Sequence, residues 1–296
     1  MILVGVIPGP HEPKLNINSY LQPLVAELNK LWADGIIVKV HGALLCVGCD
    51  VPAARKVCGF MGHASNKGCS VNTKIDFSGF EPCPPRTNFE HPQQAQEAIN
   101  QTSAGDCFDT EQKNGTRYTE LLSLPYFDCV RFHVIDPMHN LFTGTAKHVM
   151  KNIWLDSDNP LLEKKNLLHL REKLHKLKVP SDVGRMPRKI QNSYGGFPAD
   201  QWKSFTCGTM GWSCLCSQVI TETKAMLAHS YLLKFCQAFE SLYGKDKVTP
   251  NIHLHTHLVD CVLDYGPVYA FWLLVLNVTM AYLESLKQTS SLLKYR

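Results

Sequence analysis

The spacing of apolar and polar residues predicts alternating strands and helices over the first sixty residues. "MILVGVIPG" is an apolar run ended by Pro-Gly, which is typical of a strand. Residues 16–35 carry leucines at helical spacing, and Gly35 ends the pattern. "GALLCVGCD" predicts a strand or hairpin ending at Asp50, and "PAARKVCGFM" predicts a short helix with Pro52 in its first turn. This order predicts an α/β sheet.

The rest of the chain changes character twice. A Pro-rich and then polar stretch predicts an irregular surface excursion, and helical spacing dominates the region after it. The fold class we expect is therefore α/β with a large helical insertion between two parts of one domain. The segments are 1–75 (first part of the α/β domain), 76–125 (excursion), 126–248 (helical insertion) and 249–296 (second part).

Composition narrows the class of protein only moderately. The chain has 296 residues, of which 45% are hydrophobic and 19% charged, and this balance indicates a globular core. A net charge of +4 permits nucleic acid as a partner without demanding it. Residues 266–283 approach the length of a membrane span, but Asn277 at their centre favours a buried core helix, and we predict no membrane association.

Asp50 is the first residue with candidate chemistry. A carboxylate just past a buried strand is where α/β folds present metal or ligand contacts. Its other interpretation is an N-cap, because Asp50 directly precedes the predicted helix and aspartate caps helices well. Position alone favours the cap, and one carboxylate can serve both roles.

Cysteine and histidine spacings suggest a metal site without completing one. Cys58, His63 and Cys69 follow a C-x4-H-x5-C pattern in a Gly-rich loop, but position 72 is Asn72, so a fourth local ligand is missing.

The histidines of "NIHLHTHL" form a second candidate metal-binding pattern. On a helix His253 and His257 share a face, an arrangement that binds zinc, whereas on a strand His255 joins them. A strand with its histidines facing solvent is the favoured interpretation.

Several long blocks together resemble the transposases of CACTA (En/Spm-like) DNA elements. The blocks are "ILVGVIPGPHEPKLNINSYLQPLVAEL", "ALLCVGCDVPAARKVCGFMGHASNKGCS", "VIDPMHNLFTGTAKHVMKNIW", "YGGFPADQW" and "TPNIHLHTHLVDCVLDYGPVYAFW". They occur in the family's order and span nearly the whole chain. The resemblance implies a ribonuclease-H-like fold with a helical insertion, nuclear location, and DNA at the element ends as the partner. It also implies a homo-oligomer or an assembly with intact transposase.

The same resemblance implies a DDE-type site in which three carboxylates hold two Mg²⁺ or Mn²⁺ ions for phosphoryl transfer. Asp50 matches the second family carboxylate. The first family aspartate has no counterpart before "ILVGVIPGP", and Asn277 stands where the family has its glutamate. We therefore expect an incomplete, degenerate copy that does not cleave DNA.

The resemblance further implies a structural zinc bound by a C-x-x-C and an H-x3/4-H pair. Cys69, His253 and His257 match three of these ligands, and Asn72 replaces the fourth. Cys58 and His63 are possible further zinc ligands. We predict a transposase-derived protein that is at most DNA-binding; the alternative is a zinc-stabilised protein-interaction domain without nucleic-acid activity. The candidate DNA contacts are Arg55, Lys56, Lys147 and Lys151.

Overall fold

The computed structural model describes residues 17–35, 41–73, 77–155, 158, 160–176, 197–209 and 215–273. Most of these residues are helical, and their strands form one small parallel sheet of two strands, β1 (Val47–Cys49) and β2 (His133–Ile135). The ribonuclease-H-like fold stays a prediction. The predicted strand at the N-terminus lies outside the described residues.

The chain divides into two compact units, and each is described here by itself. The first contains Met1–Phe77 and Glu81–Val134, and the second contains Ser78–Phe80 and Ile135–Arg296. Apart from Ser78–Phe80, the predicted surface excursion therefore belongs to the first unit, with the predicted α/β segment. The second unit takes in most of the predicted helical insertion together with the C-terminal segment.

In the first unit, helix α1 (Asn18–Asp34) and helix α2 (Val51–Val57) lie where the sequence predicts helices. Val25 of α1 packs into an apolar cluster with Phe60, Leu121 and Phe127. Gly35, with φ 69°, follows the last residue of α1. The predicted termination at this glycine is confirmed, because a left-handed φ is readily adopted only without a Cβ.

Two helices lie within residues 76–125, which the sequence predicted to be irregular. They are α3 (Glu90–Ile99) and α4 (Ala104–Asn114), and they pack on each other. Ser103 explains the start of α4, because its hydroxyl accepts the backbone N–H of Asp106 at 3.1 Å. This Ser-x-x-Asp cap signal is present in the sequence, but the polar composition around it outweighed it in the prediction.

The described elements of the second unit are helices and helical turns, apart from Ile135, the last residue of β2. Its core joins Val149, Ile153, Phe239 and Ile252 from successive helices. Helical structure in residues 136–155, predicted from spacing, is present with π-type hydrogen bonding. The elements are the π-type helices Met138–Ala146 and Val149–Trp154, α5 (Lys164–Lys176), α6 (Ala199–Thr209), α7 (Glu222–Tyr243), α8 (Pro250–Leu254), the 3₁₀ turn His255–His257 and α9 (Leu258–Tyr265).

The "NIHLHTHL" segment is helical, so the favoured strand interpretation was wrong. Thr249 caps α8 by accepting the backbone N–H of Ile252 at 3.4 Å, and Pro250 occupies the first helical turn. His253 and His255 are buried, not turned to solvent. The helix-start signal of Thr249 and Pro250 therefore indicates the structure of this segment better than the alternation of histidine with apolar residues. Within the described residues, no helix is both long and apolar enough to span a bilayer.

Candidate metal centre

His253 and His257 form a close imidazole pair because the chain between them is helical. One turn of helix brings their Nε2 atoms to 3.3 Å, and the two rings meet edge to face. His253 is buried and its ring stacks near Phe80. Two ring nitrogens this close either share one hydrogen or turn their lone pairs toward a common cation, so the pair has the geometry of a bidentate metal ligand.

Cys69 lies buried in the first unit, in a loop that presents backbone N–H groups to its sulfur. The N–H of Val71 points at Sγ from 3.4 Å, and that of Asn72 also donates to it. Burial raises the pKa of the Cys69 thiol, whereas these two N–H groups and the charges of Arg55 and Arg86 oppose that rise. The N–H donors stabilise the thiolate, which is the form of cysteine that binds a metal.

Cys69 of the first unit and the His253–His257 pair of the second are the metal-binding group that the sequence predicts. One thiolate and two imidazoles form a borderline-soft donor set that suits Zn²⁺ better than Mg²⁺ or Ca²⁺. Asn72, in the position of the missing fourth ligand, is buried and forms a bridge with Pro85.

Asp50 caps helix α2, as its position predicted. Its Oδ1 accepts the backbone N–H of Ala53 at 2.8 Å, and its own backbone is extended directly after β1. The cap is therefore confirmed. The role of Asp50 as a metal-binding carboxylate stays a prediction.

Asp136 is buried, and both of its oxygens already accept hydrogen bonds. Oδ1 accepts from the N–H of Leu273 at 2.8 Å and that of Met138 at 3.3 Å. Oδ2 accepts from the N–H of His139 at 3.0 Å and lies 2.6 Å from the Nδ1 of the same residue. This carboxylate anchors the turn into the following helix, and these bonds leave it little capacity for a metal ion.

The reserve ligands and candidate DNA contacts fall in different environments. Cys58 is fully buried in the apolar cluster of the first unit and His63 is exposed, and neither belongs to the metal-binding group. Arg55 is only 4% exposed, so its guanidinium does not face solvent as a phosphate contact must. Lys56 and Lys147 are half-buried, Lys151 is exposed, and Asn277 lies outside the described residues.

The sequence analysis missed Arg86, a buried arginine whose guanidinium donates to the backbone carbonyls of Lys67, Cys69 and Asn114. No local motif marks it, because the surrounding "PCPPRTN" is typical of a loop.

Comparison with protein-family models, with curated proteins and with solved structures finds no match to this chain. The functional argument therefore depends on the residues of the chain itself.

Proposed function

We propose that this chain is a transposase-derived protein that holds a structural zinc ion through Cys69, His253 and His257 and binds DNA without cleaving it. The observation that carries the proposal is the His253–His257 pair, whose Nε2 atoms lie 3.3 Å apart. The resemblance to CACTA transposases implies these two residues and Cys69 as zinc ligands. The expected nuclear location and element-end target stay predictions.

We expect no DNA cleavage because the set of metal-binding carboxylates is incomplete. Two-metal phosphoryl transfer needs acidic side chains that hold both ions a few ångströms apart. The resemblance matches Asp50 to the second family carboxylate, and Asn277 replaces the family's glutamate. Asp136, which directly follows β2, has both oxygens engaged in hydrogen bonds. A site that lacks the glutamate binds Mg²⁺ or Mn²⁺ too weakly to support the reaction.

The basic surface that could meet DNA lies in the second unit. Lys147 lies between the two π-type helices and Lys151 lies on the second. His148 approaches the backbone carbonyl of Lys247 at 3.3 Å. This contact places the 3₁₀ turn Lys245–Lys247 beside them. Lysines on adjacent elements can contact successive phosphates without reading base sequence.

Zinc is expected to stabilise the purified protein. With free zinc at about 100 times Kd, binding adds about 2.7 kcal/mol to the free energy of unfolding, and a chelator removes that increment. The measurement is metal content by elemental analysis, with thermal melting before and after chelation. His253→Ala should abolish the effect. His169→Ala, which changes an exposed histidine of α5, should preserve it, and equal zinc responses of the two variants would contradict the proposal.

DNA binding is expected to depend steeply on salt. Replacing Lys147 and Lys151 by glutamine should lower the slope of log affinity against log salt by about 2, because each phosphate contact contributes about 0.9. Lys224→Gln with Lys234→Gln, on α7, removes the same charge elsewhere in this unit and serves as the control. Binding that ignores salt, or equal slopes for the two double variants, would refute this part of the proposal.

An interaction domain is the second candidate, and one feature of α7 favours it. Met226, Leu227 and Tyr231 expose about half of their surface along this helix. Large apolar side chains exposed together commonly mark protein contacts. Absence of DNA binding at every salt concentration, combined with a normal zinc response, would favour this function over the first.

A further inference from the structure

Arg86 joins two backbone segments of the first unit through one buried guanidinium. Its Nε donates to the carbonyl of Cys69 at 2.8 Å, and Nη2 donates to the carbonyl of Lys67 at 2.8 Å. Nη1 donates to the carbonyl of Asn114 at 3.1 Å and approaches the hydroxyl of Thr116 at 3.3 Å. The guanidinium thereby fixes the loop that carries Cys69 to the turn that ends α4.

The backbone of the same residue holds the other side of this loop. The N–H of Arg86 donates to the carbonyl of Val71 at 2.9 Å, and the N–H of Thr73 donates to the carbonyl of Pro84 at 3.0 Å. Residues 84–86 thus run beside residues 71–73, while the Arg86 side chain reaches back to Cys69. The whole Cys69–Asn72 turn is held from both sides by one residue and its neighbours.

The turn at Gly115 is shaped for this guanidinium. A Cβ at Gly115 would lie 2.5 Å from Nη2 of Arg86 and 2.5 Å from the carbonyl oxygen of Lys67, and the residue has φ +69°. Glycine therefore lets the guanidinium approach the backbone closely, in a conformation that other residues rarely adopt.

The bonding pattern of Arg86 is that of a geometric support. It is 7% exposed, and its guanidinium donates to three backbone carbonyls and one hydroxyl in the described structure. Burying a guanidinium is costly unless its donors are satisfied, and three backbone carbonyls arranged around a planar fork satisfy them. The direction of Cα–Cβ at Cys69, and so the position of Sγ, depends on the backbone that this fork holds.

We propose that Arg86 is a positioning residue for the metal centre, which orients the Cys69 sulfur by fixing the carbonyl of Cys69 and the turn that follows. The inference rests on the proposed zinc site. It adds a supporting residue that the resemblance does not name, in the way that groups outside the ligand set orient ligands in other metal sites.

The test uses Co²⁺ as the probe, because sulfur-to-cobalt charge transfer reports cysteine ligation directly. Arg86→Lys keeps the charge but cannot bridge two carbonyls, and it should weaken Co²⁺ binding by about 10- to 100-fold with loss of the charge-transfer band. Arg117→Lys is the matched control, since Arg117 lies in the same unit and pairs with Glu111. It should leave both affinity and band unchanged.

Each result has a distinct meaning. Full retention of the band and affinity in Arg86→Lys would overturn the inference while leaving the metal centre intact. Failure of the unaltered protein to bind Co²⁺ or Zn²⁺ would overturn the proposed function, and the inference with it. If Arg86→Lys does not fold, Thr116→Val decides, because it removes one anchor of the guanidinium; a several-fold loss of Co²⁺ affinity supports the inference, and unchanged affinity overturns it.

Discussion

Replacing Asn72 by cysteine is expected to tighten zinc binding by about 100-fold, or about 2.8 kcal/mol of binding free energy. The substitution supplies the fourth soft ligand of a tetrahedral site. It also changes the charge: zinc with one thiolate and two neutral imidazoles keeps one positive charge, and a second thiolate neutralises it. The lost positive charge favours binding, because Arg55 and Arg86, two buried cations of the same unit, repel a positively charged site.

The position of Asn72 favours such a gain. Asn72 is already buried, its backbone is held in a bridge with Pro85, and its N–H donates to the sulfur of Cys69. A cysteine there enters a turn whose backbone is set, so ordering the new ligand costs little further conformational entropy. Affinity is measured by competition with a chelator of known zinc affinity.

Asn72→Ser is the control for this substitution. Serine is close to cysteine in size and can replace part of the asparagine's polarity, but its hydroxyl is a poor zinc ligand at neutral pH. The two variants should therefore differ by nearly the full 100-fold. Equal zinc affinities would show that position 72 does not reach the metal, and the resemblance-based ligand set would then be wrong.

The candidate site was predictable where a single residue or a short repeat carries the signal. Asp50 was predicted as a cap because strand, aspartate and helix follow one another directly, and the structure has that cap. His253 and His257 were predicted as a ligand pair conditional on a helix. The alternation of His with apolar residues favoured a strand over a helix. Over so short a run the two cannot be told apart, because His253 and His257 share a face in both.

Arg86 illustrates what the sequence could not specify. The partners of Arg86 are the carbonyls of Lys67, Cys69 and Asn114, and a backbone carbonyl has no sequence signature. Arg55 shows the converse. Beside Lys56 it resembles a surface basic pair, yet it is buried, and its Nε and Nη2 lack hydrogen-bond partners within the described structure. Charge predicts exposure on average, and buried arginines are the exceptions that tertiary contacts decide.

Lowering the pH from 6.5 to 5 is expected to cost the first unit about 3 kcal/mol of stability through two buried histidines. Burial, with the nearby charge of Arg86, lowers the pKa of His91 to about 3, and burial lowers the pKa of His133 to about 4. In the unfolded chain both rings titrate near 6.5. Above that pH both states are neutral and the stability is fully present.

Below pH 6.5 the unfolded chain gains a proton on each ring while the folded chain does not, until the folded pKa values are reached. Each histidine then lowers the free energy of unfolding by about 1.4 kcal/mol per pH unit. The loss is large beside a typical total of about 5–15 kcal/mol. Backbone carbonyls that accept from the rings favour the protonated form and offset the effect of burial only in part: the carbonyl of Cys58 lies 3.1 Å from His91 Nε2, and that of Cys129 lies 3.1 Å from His133 Nδ1.

Denaturant unfolding at a series of pH values, with a chelator present so that zinc release does not contribute, measures this slope. His91→Gln should reduce it by about 1.4 kcal/mol per pH unit, because glutamine can still donate toward the Cys58 carbonyl but takes up no proton. His63→Gln changes an exposed ring and should leave the slope as it is. A stability that stays flat between pH 6.5 and 5, or equal slopes for His91→Gln and His63→Gln, would mean that His91 is protonated in the folded protein and that its burial is relieved by a charge or by solvent.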